Sequence, residues 1–235
     1  MNEFLNGALA FLLYLTPLAI IILLVRKFTK IPDELFRKIL HFILLGAYVP
    51  MLFGFSYWWH AVAFVVGLAL LLFPMLYFFA KIKGFSRFVN ERKNGEFKSS
   101  MLLALGVMAV SISLGWGVLS DKYLVLASVY AWGVGDAFAA LVGKRYGKHK
   151  LGWRFVDKKK SVEGSLAMLV TSAISVFTVL VIRDGISPVW CALIALLAAS
   201  ASTVAELYTK NGLDTVTCPA VSMAIIFPLT TLLGG

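Results

Sequence analysis

Charged residues are scarce in this chain: Asp, Glu, Lys and Arg make up 14% of its 235 residues, against about 25% in an ordinary soluble domain. Hydrophobic residues make up 60%, and the mean hydropathy is +0.87. This composition excludes a soluble globular domain and predicts an integral membrane protein. Because each span takes about 20 apolar residues, little of the chain is left for a separate soluble domain. We therefore expect a single transmembrane domain over residues 1–235.

Cysteine and acidic residues are few as well. Cys191 lies inside an apolar run and Cys218 at the edge of another, so neither a disulfide framework nor a cysteine metal site is expected. The 12 acids are outnumbered by 22 Lys and Arg, which gives a net charge of +10. Such a charge can indicate nucleic-acid binding, but in a membrane protein the cations first report topology. No nucleic-acid partner is therefore predicted.

Long apolar runs are present instead, separated by short polar connections. Eight runs predict an all-α, polytopic protein with transmembrane helices at about residues 4–25, 38–55, 58–80, 100–119, 123–142, 162–182, 188–207 and 219–233. Four of the connections carry 20 of the 22 cations, so the positive-inside rule places these four in the cytoplasm and both termini outside. The first run has Glu3 before it and Arg26 after it, unlike a cleavable signal peptide, and is expected to remain as an anchor.

Asp136 stands inside the fifth apolar run. It lies seven residues before Gly143, so it sits roughly 10 Å below the end of its helix. An acid within a membrane helix is costly and indicates a functional site by default, here a metal or nucleotide ligand. The alternative is a buried acid that pairs with a Lys or Arg of another helix for packing alone. Gly135, Ala139 and Gly143 recur every fourth residue and predict a small-residue face that another helix approaches closely.

Ser161 stands where the sixth helix should begin. It follows Lys158–Lys160, and Glu163 lies in the first turn, so its hydroxyl is expected to cap free backbone N–H groups. The same N–H groups and lysines can hold phosphate, and Gly164 permits close approach. The alternative is that the lysines are topology signals and Ser161 is an ordinary cap.

The preceding segment, GKRYGKHK at 143–150, is not a P-loop. It has three residues between its glycines and no Ser or Thr after Lys148, and a membrane helix rather than a strand comes before it. A flexible Gly/Lys loop that folds over phosphates is predicted instead.

Two further polar groups fall at the same predicted depth. Arg37 and His41 share one face at the start of the second helix, with Lys38 beside them; a lone interfacial histidine is the alternative for His41. Glu206 ends the seventh helix, and Asp214, Thr217 and Pro219 follow in a predicted short loop, with Pro219 as the first residue of the eighth helix. His60, alone at the outer edge, is not expected to be functional.

These groups are expected to converge. Acids suited to a divalent cation would meet bases suited to phosphates at the cytoplasmic edge. The predicted cluster brings Asp136, Glu163, Glu206 and Asp214 near Arg37, His41 and Lys160.

Four motifs occur in a fixed order over about residues 35–225. They are Arg37-Lys38-x-x-His41; Gly135-Asp136-Ala137 with Gly143 and Gly147-Lys148; Lys159-Lys160-Ser161-Val162-Glu163-Gly164-Ser165; and Glu206 with Asp214, Thr217 and Pro219. The set resembles the dolichol kinase, phytol kinase and CTP-dependent diacylglycerol kinase family. In one departure, Thr215 follows Asp214 where that family often has Asn.

The resemblance implies a CTP-dependent lipid kinase that phosphorylates the hydroxyl of a membrane lipid alcohol at the cytoplasmic face, with Mg²⁺ as cofactor. The acceptor would be phytol, dolichol or another polyprenol, geranylgeraniol, or diacylglycerol. The expected catalytic residues are Asp136, His41 and Glu163. The expected nucleotide-binding residues are Arg37, Lys38, Gly135, Lys148, Lys159, Lys160, Ser161 and Gly164. The expected metal ligands are Asp136, Glu163, Glu206 and Asp214.

Two other functions are possible on the sequence alone. A CTP:phosphatidate cytidylyltransferase also joins CTP to a membrane lipid, but its usual carboxy-terminal run with paired glycines and a closing Asp-Arg-x-Asp is absent here. A transporter usually places polar groups near the midplane and often has paired halves. In this sequence nearly all ionisable residues fall at one face and no repeat is found.

Overall fold

In the computed structural model, residues 2–79, 81, 96–152, 156–157, 160–209 and 212–233 are described. The regular elements of these residues are helices, and Lys150 and Ser161 form an isolated antiparallel bridge. Eight helical stretches of this part of the chain are long and apolar enough to cross a membrane. The prediction of an all-α, multi-pass membrane protein is confirmed. The side of the membrane on which the termini lie stays a prediction.

The chain divides into two compact units, Met1–Ser120 and Asp121–Gly235. The first contains α1 (Asn2–Phe28), α2 (Asp33–Gly46), α3 (Tyr48–Phe53), α4 (Trp58–Phe79), α5 (Glu96–Ser111) and a π-helical turn (Ile112–Val118). The second contains α6 (Lys122–Tyr146), α7 (Val162–Arg183), α8 (Pro188–Tyr208) and α9 (Asp214–Leu233). That residues 1–235 act as one functional domain stays a prediction.

Helices α1 and α4 of the first unit are apolar around most of their circumference. Leu13 and Leu70 are 66% and 71% exposed, which suits contact with lipid tails. The second span is interrupted, because α2 ends at Gly46 and α3 begins at Tyr48. Pro50 contributes to this break, since it has no N–H to donate to Gly46 one turn earlier.

Helix α6 is the buried centre of the second unit and packs against α7, α8 and α9. Asp121 caps its start: Oδ1 accepts the N–H groups of Tyr123 at 2.8 Å and Leu124 at 3.0 Å. Arg183 at the end of α7 donates from Nε to Asp121 Oδ2 at 2.7 Å. The start of α6 and the end of α7 are thus joined by a charged hydrogen bond, and the two helices run antiparallel.

The predicted small-residue face of α6 is confirmed. A Cβ placed on Gly135 would lie 2.9 Å from Met168 Cγ of α7. A Cβ on Gly164 of α7 would lie 2.9 Å from the Ala139 carbonyl oxygen and 3.2 Å from Gly143 Cα. Helices α6 and α7 therefore pack backbone to backbone near the polar end of the unit.

The predicted start of the last helix is wrong. Helix α9 begins at Asp214, so Asp214 and Thr217 lie in its first turn rather than in a loop, and Pro219 lies inside the helix. The first turn is polar, so the apolar run in the sequence begins later than the helix itself. An acid in the first turn is favoured by the helix dipole. Pro219 costs the helix one hydrogen bond, because it has no N–H to donate to the Thr215 carbonyl one turn earlier.

Candidate active site

Three carboxylates from three helices come together in the second unit. Asp136 lies on α6, Glu206 near the end of α8, and Asp214 at the start of α9. The charges of Asp136 and Asp214 both act on Glu206. Trp132, one turn before Asp136, donates its Nε1–H to Asp214 Oδ2 at 3.2 Å. Trp132 was not predicted from the sequence, because its polar atom carries no charge and its ring fits an apolar run.

Lys160 connects this acidic group to the loop before α7. Its Nζ lies 2.9 Å from Glu206 Oε1, and it also donates to the main-chain carbonyl of Glu206. The two side chains are 19% and 13% exposed. A cation at this carbonyl is favourable, because the end of a helix carries a partial negative charge. The sequence-predicted residues Asp136, Lys160, Glu206 and Asp214 therefore belong to one group.

The start of α7 is capped as predicted. Ser161 Oγ accepts the N–H of Gly164 at 3.2 Å, and Ser161 is 3% exposed. A Cβ on Gly147 would lie 2.6 Å from this Oγ, and one on Gly143 would lie 3.2 Å from it. Both glycines are therefore needed so that the end of α6 can approach the start of α7.

The loop between α6 and α7 folds back onto the first turn of α7. Val162 donates its N–H to the His149 carbonyl at 3.0 Å, and Leu151 donates to the Lys160 carbonyl at 3.1 Å. Glu163 Oε1 accepts the backbone N–H groups of Lys148 and His149, each at 3.2 Å. The same oxygen lies 2.7 Å from His149 Nδ1.

The contacts of Glu163 are therefore with this loop. The contact between His149 and Glu163 was not predicted from the sequence. The position of His149 in the loop GKHK was the available signal.

The donor chemistry of the acidic group fits Mg²⁺, which prefers carboxylate oxygens. Within the described ranges, no three His, Cys, Asp or Glu side chains are arranged to hold a metal by themselves. Mg²⁺ is usually held by one or two carboxylates together with substrate phosphates and water, so Asp136 with Asp214 or Glu206 is a sufficient protein contribution.

Three further predicted residues belong to the first unit. On α2, Arg37 Nη1 is 3.6 Å from Glu34 Oε2, Lys38 is 7% exposed, and His41 is partly buried. Their approach to Asp136 stays a prediction. Lys159 lies outside the described residues.

No protein-family model matches the chain, and no solved structure matches it. The chain is similar to phytol kinase from Synechocystis sp.: 27% of residues are identical over 211 positions, which cover 86% of this chain and 82% of that protein. This similarity supports a relationship to polyprenol and phytol kinases, and it extends over most of both chains.

Proposed function

We propose that this protein is a membrane lipid kinase that transfers the gamma-phosphoryl group of CTP to the hydroxyl of a lipid alcohol. One observation carries the proposal: Asp136, Glu206 and Asp214, from three membrane helices, gather beside Lys160 and the capped start of α7. The similarity to a phytol kinase over most of the chain supports the same conclusion.

Phosphoryl transfer makes demands that this group can meet. The reaction needs little covalent chemistry from the protein and depends on positioning and on stabilisation of charge. Glu206 and Asp214 stand at the ends of apolar helices, and Asp136 lies about three turns before the end of α6. Lys160 belongs to the polar loop between α6 and α7. A lipid alcohol places its hydroxyl at such an edge while its tail stays in the bilayer, and a nucleotide reaches the same edge from water.

The start of α7 is the proposed phosphate site. Free N–H groups in the first turn of a helix and the positive end of its dipole attract anions. Lys160, Lys148 and Lys159 would add positive charge there. Gly135 and Gly164, which have no side chains, would let α6 and α7 pack closely at this site. Ser161 would hold the first turn in shape through its hydrogen bond to Gly164.

Asp136 is the proposed principal ligand of Mg²⁺, helped by Asp214 or Glu206. When bound, Mg²⁺ would neutralise charge on the phosphates. Arg37 and Lys38 are proposed as further phosphate contacts. His41 is proposed to orient the lipid hydroxyl and to accept its proton.

The choice of CTP rests on the resemblance of the Gly135-Asp136-Ala137 and Lys159–Ser165 motifs to CTP-using lipid kinases. For the acceptor, phytol and geranylgeraniol are favoured because the similar protein is a phytol kinase. Polyprenols and diacylglycerol present the same hydroxyl at the membrane surface and belong in the same test.

The test is a transfer assay on the detergent-purified protein. It is incubated with gamma-labelled CTP, Mg²⁺ and each lipid alcohol, and the lipid is extracted, with Asp136→Asn as the matched control. Label in the organic phase with wild type, but not with the control, is the expected result. Unlabelled ATP, GTP and UTP added as competitors show which nucleotide is preferred.

A second arm supplies alpha-labelled CTP and phosphatidate. A labelled CDP-lipid there, with no lipid label in the first arm, would identify a cytidylyltransferase instead. Neither product from a folded protein would reject both enzymes and leave transport as the better hypothesis.

A further inference from the structure

Glu163 makes a dense set of contacts for a side chain at a helix start. Oε1 accepts the backbone N–H groups of Lys148 and His149, each at 3.2 Å, and Oε2 lies 3.4 Å from the backbone nitrogen of His149. The imidazole Nδ1 of His149 lies 2.7 Å from Oε1. These contacts join residues 14 and 15 positions apart, so they fix a loop rather than a helix turn.

Backbone hydrogen bonds also hold the loop in the part of the chain that the structure describes. Gly147 donates its N–H to the Gly143 carbonyl at 3.1 Å, and the bridge between Lys150 and Ser161 closes the other side. Hydrogen bonds to an ionised carboxylate are roughly twice as strong as those between neutral groups. Glu163 is therefore the strongest attachment of residues 148 and 149 among the contacts described for this loop.

The same contacts limit what else Glu163 can do. A carboxylate has about four lone-pair positions. The loop donors concentrate on Oε1, while Oε2 makes the longer contact of 3.4 Å with the His149 backbone nitrogen. A general base must reach the proton that it removes, and a metal ligand must turn a lone pair to the ion. Either role through Oε1, or bidentate binding of a metal ion, would require Glu163 to release Lys148 and His149.

We propose that Glu163 is a positioning residue, which holds the segment Gly147–Lys150 across the first turn of α7 and so keeps it over the site of the nucleotide phosphates. The proposal that Glu163 holds the loop is based on the geometry of the contacts. The proposed effect on the nucleotide rests on the proposed kinase function. Glu163 thus acts through the loop and does not touch the reacting atoms.

Limited trypsin digestion tests whether Glu163 holds the loop, and it requires no measurement of kinase activity. The cleavage rate after Lys148 is measured relative to cleavage after Lys30, which lies in the connection between α1 and α2, and products are identified by mass spectrometry. Cleavage follows the population of the open loop, so Glu163→Ala should raise the relative rate by about tenfold. Glu163→Gln keeps an oxygen for the backbone N–H groups and should give a smaller increase, as should His149→Ala.

Ser165→Ala is the matched control, because Ser165 lies in the same turn of α7 and its hydroxyl donates only to the Ser161 carbonyl among the described contacts. It should leave the rate unchanged. Equal relative cleavage rates after Lys148 in Ser165→Ala, Glu163→Ala and Glu163→Gln would overturn the proposal. If Glu163→Ala does not fold, the comparison of Glu163→Gln with Ser165→Ala decides.

Steady-state kinetics test the effect on the nucleotide. Loss of ground-state positioning raises KM more than it lowers kcat, so Glu163→Gln should raise KM for CTP by about tenfold and change kcat by less than about threefold. A large fall in kcat with unchanged KM and unchanged cleavage would assign Glu163 to the chemistry and overturn the proposal. If wild type transfers no phosphoryl group at all, the proposed function fails, while the trypsin result still decides whether Glu163 holds the loop.

Discussion

Lys160 Nζ lies 2.9 Å from Glu206 Oε1 and joins the loop before α7 to the end of α8. Both side chains are mostly buried, and the charges of Asp136 and Asp214 also act on Glu206. Lys160 thus offsets part of the negative charge of these acids through its ion pair with Glu206. Folding of the second unit and the proposed chemistry consequently depend on the same ion pair.

Lys160→Met should lower both stability and activity. Removal of one partner leaves the mostly buried Glu206 without its cation, which should cost about 3 kcal/mol in the free energy of unfolding. Loss of a phosphate-binding charge should reduce turnover by at least about a hundredfold. Stability is measured by denaturation in detergent and turnover by the transfer assay.

The double variant Lys160→Met/Glu206→Gln separates the two effects. It removes both charges, so stability should return towards the wild-type value while activity stays low. If the single variant is as stable as wild type, the pair behaves like a surface ion pair and contributes nothing measurable.

Asp136→Asn should abolish transfer and leave the fold intact. The amide has nearly the same size as the carboxylate but cannot serve as a charged metal ligand, so turnover should fall by at least about a hundredfold. Elution volume and melting temperature in detergent should match wild type. Near-normal turnover would remove Asp136 from the active site.

Gly164→Ala should destabilise the protein even though alanine favours helix. The added methyl would meet the Ala139 carbonyl at 2.9 Å and Gly143 Cα at 3.2 Å, and backbone atoms cannot move aside. We expect a loss of about 1–3 kcal/mol in the free energy of unfolding, measured by thermal denaturation.

The matched control for this prediction is Gly106→Ala. Gly106 lies within α5, and apart from its chain neighbours and its own helix backbone no described atom lies within 4 Å of its Cβ position. This variant should be neutral or slightly stabilising, because alanine is the better helix former. An equal effect of the two substitutions would contradict the close packing of α6 and α7.

His41 and His60 should respond differently to substitution. His41→Ala should lower kcat by about a hundredfold if its imidazole accepts the proton of the lipid hydroxyl. His60 packs against Phe4, Tyr57 and Trp59, and its buried Nδ1 has no hydrogen-bond partner in the described part of the chain. His60→Leu should therefore keep wild-type kcat. Equal kcat for the two variants would remove His41 from the chemistry.

Much of the fold follows from the sequence, because the spans and the small-residue face are local patterns. Apolar runs predicted the eight helices of the described residues that are long and apolar enough to cross a membrane. The cap at Ser161 followed from a serine before an acidic first turn, and the packing of α6 followed from Gly135, Ala139 and Gly143.

Other features could not be predicted because they depend on which groups meet. The bond from Trp132 to Asp214 joins residues 82 positions apart, and no short pattern specifies such a partner. The contact of His149 with Glu163 depends on the path of a loop. The π-helical turn Ile112–Val118 needs one extra residue in a helix whose sequence has ordinary apolar character.

The two thiols have a practical consequence for mapping the protein in its membrane. Cys191 and Cys218 are both fully buried and free. A membrane-impermeant maleimide should therefore leave the native chain unlabelled, so a single cysteine introduced into any connection becomes a reporter of the side on which that connection lies. For this experiment the wild-type sequence already serves as a nearly cysteine-free background. Labelling of the introduced cysteine in intact cells then shows on which side of the membrane the termini and the loop at 147–152 lie.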